Sequence, residues 1–257
     1  MKPGAADYIG PVLGLPPGVT ACLFDLDGVL TQTALVHNAA WKQTFDDFLK
    51  AWSERHGQPY VPFDSGADYQ DYVDGRPRAD GVRTFLASRG ITLPDGSPTD
   101  GPDAETVNGI GNRKNELVLQ KIREGAVQVY LGSVDYLKAA TAAGLRRAVV
   151  SASANCRDVL EAAGIAELIE ARVDGVTARA EHLPGKPAPD TFQYAARLLD
   201  TAPENCAVFE DAQAGVAAGK AGGFGIVVGV DRVGQADALL RHGADIVVQD
   251  LSDLLNR

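Results

Sequence analysis

The sequence predicts an α/β fold: a parallel sheet core with helices on both faces, and an α-helical cap inserted into it. Three observations carry this expectation. Short β-rich apolar runs alternate with Ala- and Leu-rich helical stretches from Gly125 onward, a similar apolar run stands alone at Val19 to Phe24, and the section between them breaks the alternation.

Val19 to Phe24 is read as the first strand, ended by the sharp turn that Gly28 permits. The later strands are Leu145 to Ser151, Ala207 to Glu210, Gly225 to Val230 and Ile246 to Val248. Helices are predicted between them at Val134 to Ala143, Asn155 to Ala163, Asp190 to Leu199 and Ala212 to Ala221. This assigns 1–34 and 125–257 to the core and 35–124 to the cap, which holds both tryptophans and helical patterns at Ala39 to Ser53, Val82 to Ser88 and Glu105 to Arg123. Leu93 to Asp103, with its prolines, glycines and aspartates, reads as solvated connection rather than site.

A net charge of -10 argues against nucleic-acid and anionic-membrane partners, which need clustered Lys and Arg. No apolar stretch approaches the roughly 20 residues of a membrane span, and Met1 to Gly18 lacks the pattern of a signal peptide, so a cytoplasmic location is expected, and the protein is expected to be a monomer. Cys22, Cys156 and Cys206 are too few and too scattered for a disulfide framework or a zinc site. Cys22 and Cys206 read as core residues, and Cys156, beside candidate site residues, as partly exposed.

Four elements at strand ends carry the chemistry. Asp25 and Asp27 are paired carboxylates that call for a shared cation or proton, or else form an Asx turn before the next helix. Ser151-Ala152-Ser153-Ala154-Asn155 offers hydroxyls and free N–H groups to an anion, to the helix as a cap, or to both. Lys186 is held between Gly185 and Pro187, which favours a fixed point charge over a solvated one. Glu210 and Asp211 end a strand and can cap the next helix, while Asp25, Asp27 and Asp211 together supply three hard oxygen donors that suit Mg2+.

In that order, these elements resemble the four motifs of the haloacid dehalogenase superfamily of phosphotransferases. The resemblance implies a Rossmann-like core, Asp25 as the nucleophile attacking phosphorus, and Asp27 as general acid/base. It also implies Ser151, Ala152, Ser153, Asn155 and Lys186 around the phosphoryl group. The metal set would be Asp25, the Asp27 carbonyl, Glu210 and Asp211, holding Mg2+.

Within the superfamily the chain is most similar to the β-phosphoglucomutase-like subgroup. Thr33 and His37 follow the aspartates at that subgroup's spacing, Trp41 lies one turn beyond His37, and Arg78, Lys114 and Asn115 align with its cap residues. That likeness implies a small phosphorylated sugar as substrate, with Arg78 and Lys114 at a second phosphate site and His37 coupling the cap to Asp27. Gln32, Tyr130-Leu131-Gly132 and the long stretch from Ala51 to Gly111 depart from the subgroup, and the extra cap length bears on the choice of sugar. A sugar phosphatase using the same aspartate is the alternative enzyme, and a phospho-accepting signalling domain the alternative outside catalysis.

Overall fold

A computed structural model describes residues 13–125 and 127–255. Most of the Met1 to Gly18 segment considered above therefore lies outside the described residues.

Six parallel strands form one sheet in the order β3-β2-β1-β4-β5-β6. They are β1 Ala21–Phe24, β2 Arg146–Val150, β3 Ala171–Val173, β4 Cys206–Glu210, β5 Ile226–Val230 and β6 Ile246–Val248. Alternation along each strand splits the apolar residues between two faces. Cys22, Phe24, Val149 and Phe209 join one buried cluster, while Ala21, Leu23, Val150 and Val208 join the other. Central β1, buried at every position, pairs with β2 on one side and β4 on the other, and Phe24 stacks on Phe209 with centroids 4.6 Å apart.

The helices are α1 Thr33–His56, α2 Arg78–Ser88, α3 Val107–Arg123, α4 Leu131–Ala142, α5 Cys156–Ala162, α6 Gly175–Ala180, α7 Asp190–Leu198, α8 Gln213–Ala221 and α9 Ala236–His242. A third apolar cluster draws its buried members from positions 41–110 alone, around Phe45, Phe63 and Phe85. It gives α1, α2 and α3 a core of their own. This helical lobe joins the sheet through two adjacent linkers: Gln32 N–H donates to Gln128 O at 2.8 Å, and Tyr130 N–H to Leu30 O at 3.0 Å.

Several expectations change. Strand β3 was not anticipated, because three residues around the charged Arg172 carry too little apolar pattern to stand out. Helices α6 and α9 and a π-helical turn at Tyr69–Val73 were likewise not anticipated. Cys156 is fully buried rather than partly exposed, because the first turn of α5 faces the sheet. No described helix is long and apolar enough to cross a membrane.

Candidate active site

Parallel β1 and β4 end side by side, which brings the acids that follow them together. The Asp25 N–H donates to Phe209 O at 2.9 Å, the last rung before both chains leave the ladder. Carboxylate oxygens of Asp25, Glu210 and Asp211 all lie within 4.8 Å of one another, and all three residues are buried. Gly28, at φ +101°, makes this approach possible, since a Cβ there would overlap the Asp211 carboxylate. Gly215 likewise leaves room for Glu210.

Lys186 enters the cluster from the turn before α7. Its Nζ lies 2.5 Å from Asp25 Oδ1 and 2.5 Å from Glu210 Oε1, and it also donates to Val150 O at 2.9 Å. Burial works against its charge, but the Asp25 and Glu210 carboxylates outweigh burial and hold its pKa above the ordinary lysine value. One lysine does not neutralise three acids. Burial, then Asp74, Asp25 and Glu210, push the Asp211 carboxyl well up, and burial pushes Asp25 up against the pull of Lys186. A cluster of hard oxygen donors with this surplus of negative charge fits a divalent cation.

The Asp27 side chain stands apart from that cluster. Its Oδ1 accepts from the Thr33 hydroxyl, itself 2.6 Å from the Thr31 hydroxyl, and its Oδ2 accepts from Ser151 Oγ at 3.3 Å. Ser151 Oγ in turn accepts from the Ser153 N–H at 3.1 Å, so the loop after β2 wraps its own hydroxyl and leaves Ala152 and Ser153 on the cavity wall. Asn155 is buried behind them, donating to Asn115 Oδ1 at 3.0 Å.

Helical-lobe residues close the other side of a cavity of about 420 Å³, within the size range of small-molecule sites. Arg78 opens α2 and reaches it, as do His37, Trp41, Lys114 and Asn115. Lys114 Nζ sits 4.9 Å above the Trp41 ring, so the tryptophan serves as a platform for its charge. Burial, then Arg78, lower the Lys114 pKa to about 7 against the pull of Asp27. His37 Nε2 stops 3.6 Å from Asp27 Oδ1, beyond hydrogen-bond range.

Thr33, Asn155 and Glu210 thus support the wall from behind, while the other predicted site residues line it. Pro98 also lines it, which corrects the reading of Leu93 to Asp103 as mere connection. Asn108 and Asn112 on α3 hold that loop through the carbonyls of Asp95, Pro98 and Asp100. Asp74 was missed, although it lines the cavity and burial and Glu210 push its carboxyl up to about 7. The available signal was the run Asp74-Gly75-Arg76-Pro77-Arg78, a Gly/Pro turn with charges on both sides. The two lobes meet where a Cβ on Gly185 would overlap the Pro77 ring.

The pattern of the haloacid dehalogenase-like hydrolases matches residues 19–223. The chain belongs to this family. Among haloacid dehalogenase-like proteins, it is 57% identical to the β-phosphoglucomutases of Mycobacterium bovis and Mycobacterium tuberculosis, over 99% of this chain and 98% of each relative. It is 32% identical to the β-phosphoglucomutase of Bacillus subtilis, over 91% of both chains. The crystal structure of β-phosphoglucomutase from Clostridium difficile shares the fold, with a TM-score of 0.71, 24% identity, and coverage of 92% of this chain and 93% of that one.

Proposed function

We propose that the protein is a Mg2+-dependent β-phosphoglucomutase that converts β-glucose 1-phosphate to glucose 6-phosphate through a bisphosphate. The observation that carries this reading is a single cavity with cationic groups at both ends. Lys186, with the Ser151 loop, lies at the nucleophile, and Arg78 with Lys114 lies across from it in the helical lobe. A phosphatase needs only the first end; a mutase must hold a second phosphate while the sugar turns around. The full-length likeness to β-phosphoglucomutases supports the same choice.

Residues 35–124 act in this reading as the cap over a core of 1–34 and 125–257. Phosphorylated Asp25 gives its phosphoryl group to the 6-hydroxyl of the sugar, and Asp27 takes the hydroxyl proton. The bisphosphate then reorients. Asp25 attacks the phosphorus at position 1, the bond from phosphorus to the sugar oxygen breaks, and Asp27 returns its proton to that oxygen. Thr33 and Ser151 orient the Asp27 carboxylate through the hydrogen bonds described above. Lys186 offsets charge gathering around Asp25, where a cation at about 4 Å contributes up to about 4 kcal/mol at an effective dielectric near 20. Asp25, Glu210 and Asp211, with the Asp27 carbonyl, would hold Mg2+, which when bound supplies positive charge to the phosphoryl oxygens. The enzyme acts on this small sugar phosphate as a cytoplasmic monomer.

The test is 31P NMR of the protein with Mg2+, β-glucose 1-phosphate and a trace of glucose 1,6-bisphosphate. Growth of a glucose 6-phosphate signal without matching inorganic phosphate supports the mutase. Inorganic phosphate alone would mean a sugar phosphatase, and an unchanged spectrum would overturn this choice of sugar.

A further inference from the structure

The sheet does not hold the catalytic loops by itself. The β1–β4 register runs only to Phe24 and Phe209, and Asp27, Gly28 and Asp211 lie beyond it. The main chain at Gly28 and at Asp211 is held by the loop between β5 and α9, which contributes no described residue from 231 to 235 to the cavity wall.

Arg232, with its side chain 13% exposed, uses its whole guanidinium there. Nε donates to Gly28 O at 3.0 Å, and Nη2 to Val29 O at 3.4 Å and Ser133 Oγ at 3.3 Å. Nη1 donates to Gln249 O at 2.7 Å and Asp250 Oδ2 at 3.0 Å. The guanidinium carbon lies 3.6 Å from the centre of the Tyr130 ring, on the linker that returns from the helical lobe. Three residues on, Gln235 Nε2 donates to Asp211 O at 2.9 Å, while its Oε1 accepts from Gln213 at 3.2 Å. The loop is itself braced, since the Asp231 carboxylate accepts from the N–H groups of Val233, Gly234, Gln235 and Ala236.

We infer that Arg232 and Gln235 are positioning residues for phosphoryl transfer, clamping the main chain at Gly28 and at Asp211 and so setting how the two pairs of acids face each other. The clamp grips at the contact where the Gly28 backbone presses on the Asp211 carboxylate. A planar fork of donors suits this task because its edges reach the carbonyls while its face lies over the Tyr130 ring, which a lysine ammonium does not reproduce.

The inference rests on the phosphoryl-transfer reading above, and two arms keep them separable. In the first, Arg232→Gln is expected to lower kcat of the mutase by roughly ten- to a hundredfold with KM changed less than about twofold, as for small misplacements of reacting groups. Arg232→Lys should recover part of the loss. In the second, Gln235→Leu should raise, by several-fold, the Mg2+ concentration giving half of the thermal stabilisation by Mg2+, a readout independent of turnover. A wild-type kcat in Arg232→Gln, or a loss matched by its unfolded fraction, would overturn the clamp, as would an unchanged Mg2+ midpoint in Gln235→Leu. Should Arg232→Gln not fold, the second arm decides. Wild-type protein inactive on sugar and aryl phosphates would remove the phosphoryl-transfer reading instead, and the melting arm would still test the clamp.

Discussion

Lys114 Nζ lies 2.7 Å from His37 Nδ1, joining α3 to α1 across the roof of the cavity. Whenever Lys114 is an ammonium it donates to Nδ1, which leaves the ring hydrogen of a neutral His37 on Nε2, facing Asp27. Burial, then Lys114, drive the His37 pKa down to about 4 against the pull of Asp27, so the ring is neutral at neutral pH.

Lys114 should make substrate capture pH-dependent. Its pKa near 7 means the ammonium is present below pH 7 and lost as pH rises through that value. The phosphate, whose second pKa is about 6, is already a dianion there. The kcat/KM for the sugar phosphate should therefore decline above pH 7, by up to about tenfold per pH unit. Lys114→Met should be poorer and flat over the same range, and a pH series of initial rates checks both.

Asp25 and Lys186 should separate stability from activity. Lys186→Met leaves Asp25 and Glu210 buried and facing each other, and breaking such a pair costs about 3–5 kcal/mol, or roughly 10 °C in Tm. Asp25→Asn removes one crowded negative charge and keeps the Lys186–Glu210 contact. It should melt no lower than wild type in EDTA while losing turnover. Calorimetry and the NMR assay read the two effects.

Metal should stabilise the fold through the same acids. At a hundredfold excess over Kd, binding to the native state adds about 2.7 kcal/mol, so Mg2+ should raise Tm by roughly 5–10 °C and EDTA should reverse it. In Asp211→Asn the rise should shrink to a small fraction of that, as seen by scanning fluorimetry.

Arg78 should matter for sugar transfer more than for simple hydrolysis. It lines the cavity from the helical lobe, and a small aryl phosphate presents no second phosphate to it. Arg78→Ala is expected to lower mutase kcat/KM at least tenfold more than aryl phosphate hydrolysis, following the cost of losing a charged hydrogen bond, about 1.5–3 kcal/mol. Equal losses in parallel assays would contradict the role.

Acids at the ends of β1 and β4 were legible because each follows an uninterrupted apolar run, and the run is what carries them to a common edge. Lys186 was legible from its Gly and Pro neighbours. Arg232 and Gln235 were not, because nothing local distinguishes them from a solvated charge or amide; their meaning arises only when the loop after β5 folds against the residues that follow β1 and β4. Cys156 was misjudged for a related reason. Nearness in sequence to Ser151 says nothing about which side of α5 faces the sheet, and here the thiol turns inward.

The hydrogen bond from Gln32 to Gln128 has a consequence for the chain's history. Because the two ends of the helical segment meet at 2.8 Å, the sheet experiences everything between them as one closed excursion leaving and returning at a single doorway. Lengthening such an excursion adds little closure entropy, only about 0.6 kcal/mol for each doubling, and it displaces no strand. Residues can be inserted or exchanged there without renegotiating the phosphoryl-transfer chemistry, so a change of sugar can be drafted in one part of the gene while the reaction itself is inherited intact from another.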